Sequence, residues 1–424
     1  MRFAAARATP RRVYTALAAL GLAACLLTLF PSVPAADSGT SAIETRALWV
    51  QRMSLSSPES IKTMTRIARE NGFNTLLVQV RGRGDAYFNH GVEPRASDLQ
   101  RQPAAFDPLA TVLTMAHAAG LSVHAWVNLN LVSSAVDLPS APTHLIRRHP
   151  EWLMVPRELA QELSKIKESN PAYVTKLARW TRAQPAELEG LYVSPIVPGA
   201  RDHVNAVVHD LVTRYNVDGV HFDYARYPSE HFDYSRRAIA EFRTATRPTL
   251  SVATRRTLDA REASDRLAYP EALPNEWKAF RIARMTQVIA KLRATIKAVR
   301  PSTTVTVAVK PDIEEARDHR LQDWRAWLQT GLIDGVCPMA YTQEPARFAE
   351  QIAAARGAAG NHRLWAGIGA YRLPAAQTIE NIETARRLGA DGIILFSYDS
   401  LIDPRQSSPD YFALVDRGAF RQPH

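Results

Sequence analysis

Asp218-Gly-Val-His-Phe-Asp223-Tyr-Ala-Arg-Tyr-Pro228 is the stretch on which the fold turns. A short run rich in β-formers, residues 218–223, ends in a cluster of polar and aromatic side chains and is closed by a proline. A helical pattern, residues 203–215, precedes it, so the unit reads as helix, turn, strand. Side chains alternate along a strand, which puts Gly219, His221 and Asp223 on one face with Asp223 last, at the rim. Polar residues at the carboxyl ends of barrel strands usually face the site.

The same unit recurs on both sides. Strands are expected at residues 45–50, 73–80, 121–128, 218–223, 303–310, 333–339, 364–371 and 392–398. Helical patterns lie between them at 60–71, 107–119, 203–215, 276–299 and 378–388, and Asn71-Gly72 and Ala119-Gly120 supply left-handed helix stops. Eight strands alternating with helices predict a parallel sheet closed as a (β/α)8 barrel over residues 45–420. A doubly wound open sheet is disfavoured, because no Gly-x-Gly-x-x-Gly turn follows the first strand. Two spacers are too long for ordinary loops, 129–198 after the third strand and 228–274 after the fourth. Both leave carboxyl ends of strands, and with Trp152, Tyr192 and Tyr234 they are expected to wall an extended groove over that face.

The N-terminus is set aside as a targeting segment. Arg2, Arg7, Arg11 and Arg12 precede an apolar run over residues 13–30, and small residues follow at Val33, Ala35 and Ala36. Cleavage after Ala35 would leave a linker, 37–44, before the barrel. Leu22-Ala23-Ala24-Cys25 offers a competing reading as a lipobox, against which residues 26–30 stay apolar. An uncleaved anchor is the third reading, since 13–33 is about long enough to span a bilayer. Each exports the rest of the chain, so a periplasmic or secreted protein is expected, with a membrane contact only through this lipid or anchor. The other cysteine, Cys337, lies in an apolar run and reads as a small core hydrophobe. The net charge of +10 includes four arginines of the targeting segment. The modest excess left favours anionic polymers only weakly, and no basic stretch interleaved with aromatics suggests nucleic acid.

Candidate site residues follow from strand ends. Asp223 beside Tyr224, Arg226 and Tyr227 suits a sugar site, with aromatics for pyranose faces and a carboxylate for proton or anomeric chemistry. The competing structural reading makes Asp223 a buried partner of Arg226 that pins the strand end. His124, Trp126 and Asn128 share one face of the third strand and are costly in a dry core unless satisfied; His124, the deepest, reads equally as a core histidine. The second strand offers Arg81 and Asp85, the sixth Tyr341 and Glu344, the eighth Tyr398 and Asp399. Glycoside hydrolysis needs two carboxyls flanking the bond, here Asp223 with Glu344 first, then Asp399 or Asp85. His221 with Asp223 lacks a third ligand for a metal. No Gly-x-Ser-x-Gly elbow is present, and no cofactor is implied.

With these residues in view, the chain resembles the glycosyl-hydrolase-like family 10 group of bacterial exported proteins. The matching pieces are Arg46-Ala-Leu-Trp49, Gln79-Val-Arg81 with Gly84-Asp85-Ala86, His124-Ala-Trp126-Val-Asn128 and His149-Pro-Glu-Trp152. They continue through Asp218–Tyr224 with Arg226-Tyr-Pro228, Trp277-Lys-Ala-Phe-Arg281, Asp323-Trp324 with Trp327, and Gly331-Leu-Ile-Asp334. The resemblance implies a hydrolase acting on glycans, with cell-wall peptidoglycan the leading substrate class. The family pattern has a second acid where this chain has Tyr224. That departure argues against adjacent catalytic carboxylates and keeps a non-catalytic, glycan-binding member open.

Overall fold

The computed structural model describes residues 43–421. The targeting segment, Cys25 and nearly all of the linker lie outside the described residues. Eight parallel strands close into a barrel: β1 (Thr45–Val50), β2 (Thr75–Arg81), β3 (Ser122–Asn128), β6 (Gly219–Asp223), β7 (Thr304–Val309), β8 (Gly335–Ala340), β9 (Arg363–Ile368) and β10 (Gly392–Phe396). Their order around the barrel is β1-β10-β9-β8-β7-β6-β3-β2. Two further strands, β4 (Leu131–Ser133) and β5 (Leu191–Tyr192), pair antiparallel within the first insertion.

The strands form because their outward residues are branched or apolar and meet helices. Leu48, Val50, Leu76, Val78, Val123, Val127, Val220 and Phe222 pack there with Ile61, Met64, Val112, Val208, Met285 and Leu292. Gly72 and Gly120 take positive φ (74° and 72°) where helices stop ahead of β2 and β3. Inside the barrel a separate cluster of Ala47, Trp49, Leu77, Trp126, Cys337, Trp365 and Ile394 fills the lumen. Gly219 is required here: a Cβ at that position would sit 2.3 Å from the His124 ring. Cys337 is fully buried in this cluster, as a small hydrophobe.

The two insertions share one core. Leu145, Leu153, Val155, Leu159, Tyr173 and Leu177 of the first pack with Tyr234, Ile239, Phe242, Leu258 and Tyr269 of the second. Buried Asp233 seams them, accepting from the amides of Val155 (2.9 Å) and Ser235 (2.8 Å). Burial raises its carboxyl to about 6, against the hydrogen bonds that hold it. Arg236 adds an ion pair to Glu168 at 2.6 Å.

Candidate functional site

The barrel mouth is a cavity of about 440 Å³ lined by Trp49, Gln51, Gln79, Trp126, Asp223, Tyr224, Arg226, Lys310, Tyr341 and Phe396 among others. Asp223 ends β6 and is 7% exposed. Its Oδ1 accepts from the Tyr224 amide at 2.6 Å and from Arg226 Nη1 at 3.0 Å. Oδ2 has no hydrogen-bond donor among the described residues, so one carboxylate oxygen is held and the other is left for a ligand. Burial pushes the Asp223 carboxyl up from its ordinary value, and Arg226 with the Tyr224 amide opposes the rise. Tyr224 takes φ +50°, an uncommon conformation for a non-glycine residue. The Arg226 guanidinium lies over its ring, 4.4 Å from the centroid. Both readings of Asp223 therefore describe one arrangement: the Arg226 pair is present, and it fixes a carboxylate that faces the mouth.

A second carboxylate, Glu189, reaches the same cavity from the first insertion. Tyr192 donates its hydroxyl to Glu189 Oε2 at 2.5 Å and lies 6.2 Å from the Tyr224 ring. The charge of Glu189 adds to the rise in the Asp223 carboxyl and is felt at Arg226 as well. Glu315, 3.5 Å from Lys310 Nζ, lines the cavity as well.

The other expected residues divide. Trp126, Tyr224, Arg226 and Tyr341 line the cavity with Asp223. Asn128 stands behind it: its Oδ1 accepts from the Trp126 indole at 2.9 Å and its Nδ2 donates to the Gly82 carbonyl. His221 is sealed in the lumen, accepting from Trp49 Nε1 at 3.1 Å and paired with Thr306 Oγ1 at 3.0 Å. His124 lies deeper still, 5.4 Å from the Trp365 ring, with Nδ1 unpartnered. Neither histidine touches the mouth. Burial holds His124 down to about 4 and His221 well below the ordinary imidazole range.

The remaining expected residues also lie outside the mouth lining. Arg81 does not face the cleft: the register slips between Gln79 and Arg81, so Gln79 lines the mouth while Arg81 turns to a buried pair with Glu93 at 2.6 Å. Glu344 is exposed at the N-terminal cap of the helix Pro345–Ala359, outside the mouth lining, because residues 342–344 lead away from the rim. Tyr398 is buried against Phe412, since β10 ends at Phe396 and a short helix begins. Asp85 accepts from the Arg83 amide in its own loop, away from the mouth lining. Asp399 is close behind the rim, where it accepts from the Gln51 amide and the Ser54 hydroxyl, both at 2.6 Å. It fixes the turn that presents Gln51. Among the described residues, no group of three or more His, Cys, Asp and Glu side chains is arranged to hold a metal ion.

A parallel eight-stranded barrel with insertions and carboxylates at its carboxyl-end mouth defines a glycosidase-type (β/α)8 protein. The chain belongs to the glycosyl hydrolase-like 10 family, whose model matches residues 44–382. Glycosyl hydrolase YngK of Bacillus subtilis is 23% identical over 348 residues, covering 73% of this chain and 56% of that protein. Glycosyl hydrolase DigH of Escherichia coli K12 is 27% identical over 289 residues, covering 64% and 55%. The chain thus spans little more than half the length of the curated relatives it matches. Among solved structures, the glycoside hydrolase domain of PgaB (BpsB) from Bordetella bronchiseptica superposes with a TM-score of 0.59 at 16% identity, covering 89% of this chain and all of that one. The catalytic domain of β-amylase from Paenibacillus polymyxa gives 0.58 at 12%, covering 89% and 99%. At such identities the likeness is one of fold.

Proposed function

We propose that the protein hydrolyses glycosidic bonds in a cell-envelope polysaccharide, with the glycan strands of peptidoglycan as substrate, through the carboxyls of Asp223 and Glu189. The observation that carries the reading is their placement: one ends a barrel strand, the other enters from the insertion, and both face one aromatic-walled cavity. Two carboxyls flanking a cleft are what glycoside hydrolysis needs. Trp126, Tyr224, Tyr341 and Phe396 supply the ring faces. Purified protein incubated with peptidoglycan, with and without its stem peptides, is expected to release shorter glycan fragments. Binding without any new reducing end would replace this reading with the non-catalytic, glycan-binding one.

The arginine-led apolar N-terminus supports an exported protein, periplasmic or secreted. Mass spectrometry of the mature chain is expected to find Ala36 first or a lipid on Cys25. An intact cytoplasmic Met1 would refute both.

A further inference from the structure

A second cavity of about 670 Å³, larger than the mouth, lies between the two insertions and the segment after β7. Three separate segments supply both cavities within a few residues of one another. The chain leaving β6 gives Asp223, Tyr224 and Arg226 to the mouth and Pro228 to Phe232 to the second cavity. The first insertion gives Glu189 to the mouth and Glu187 and Leu188 to the cavity. The segment after β7 gives Lys310 and Pro311 to the mouth, His319 and Arg320 to the cavity, and Glu315 to both. Glu315 lines both spaces, and near neighbours on three segments set the two side by side.

We propose that this second cavity is a distal subsite that takes further sugar units of the strand bound at Asp223, so that the protein acts within long glycans. The proposal rests on the glycosidase reading and adds the length of polymer engaged. The lining fits a sugar. Trp180 is half-buried, edge-on to Phe232 at 6.0 Å, and its indole donates to Glu158 Oε2 at 3.2 Å, which fixes the ring. Around this aromatic surface stand acceptors (Glu158, Glu187) and donors (Arg157, Arg320, His231), the mixture that a polyhydroxylated ring with one apolar face requires. The Glu187 carboxylate is exposed and has no partner among the described residues. The cavity exceeds the mouth in volume, leaving room for units beyond the two that the reacting bond joins.

The experiment uses glycan strands stripped of stem peptides, separated into short and long pools, with the full protein and its Trp180→Ala and Glu187→Ala variants. Glu187→Ala removes an exposed group, so it guards against a misfolded Trp180→Ala. Wild-type kcat/KM is expected to rise with strand length. In each variant the ratio of long-strand to short-strand kcat/KM is expected to fall, about ten-fold for Trp180→Ala. Cleavage by all three proteins with an unchanged ratio would overturn the subsite while leaving the glycosidase reading intact. If nothing is cleaved, the glycosidase reading fails, and calorimetry on the same pools tests the subsite alone. Affinity independent of length, or capture of free stem peptides instead of strands, would then overturn it.

Discussion

Asp223→Asn is expected to lower turnover on peptidoglycan glycan by about a thousand-fold or more while the protein stays folded and still binds glycan. Asparagine keeps the shape and can still accept the Tyr224 amide, but it can neither attack an anomeric carbon nor take a proton. A purely structural Asp223 gives the opposite pattern: lower thermal stability, with activity per folded molecule nearly unchanged. Glu189→Gln should also abolish turnover, whereas Glu344→Gln should leave it intact; inactivity of the latter would return Glu344 to the site. The acid limb of the pH–rate profile distinguishes the charge environment. An Asp223 that must be ionised loses activity as pH falls through its pKa, and burial places that pKa above the ordinary aspartate range. Arg226→Gln removes the opposing cation, so the acid limb should move to still higher pH. A limb that stays put or moves down would show that the titrating group lies elsewhere.

His124 should make the barrel acid-sensitive. Its imidazole titrates near 4 in the fold and near 6.5 in an unfolded chain. Between those values the unfolded state binds more protons, so stability is lost as pH falls from about 6.5 to about 4. The gap corresponds to about 3 kcal/mol. Sealed His221 acts in the same direction. Asp233, raised to about 6, acts against it, because its protonated form is favoured by the fold as pH falls. Total stability against pH therefore mixes opposed contributions, and the difference between proteins isolates one. Urea midpoints for wild type and His124→Gln, compared at pH 7 and pH 4.5, should converge or cross in favour of the variant at low pH. Parallel pH dependences would show that the ring is not held neutral by the lumen.

The barrel was legible because its strands and helices differ in period, and because a chain this long with Cys337 as the lone cysteine among the described residues rests on one large core. Residues 45–50 give the first strand to the residue, since a short continuous apolar run, residues 47–50, is bounded by Arg46 and Gln51. The site was half legible. Asp223 and Trp126 follow from strand parity, which survives wherever the ladder is regular, and Tyr224 follows from its place in the polar and aromatic cluster just past the strand end. Arg81 and Tyr398 escape it for two physical reasons: a slipped register re-aims one, and a helix begun one residue after the strand re-aims the other. Glu189 carried no local signal at all. It sits on an insertion with neither strand parity nor helix period, and only Tyr192, two residues beyond Gly190, hints at the environment that holds it. Trp49, by contrast, was within reach, because it alternates with Leu48 on the strand that opens the barrel.

The seam at Asp233 has a consequence for how such a protein can change over time. The two insertions are separated in sequence by a helix and a barrel strand, yet they bury their apolar residues in each other. Neither is a free cassette. A lineage that replaced the first alone would expose Tyr234, Ile239 and Phe242 and strand the Asp233 carboxylate without its Val155 partner. New substrate preferences must therefore arise by paired exchange of both excursions or by point changes on the groove surface, where exposed Glu187 can vary without disturbing the shared interior.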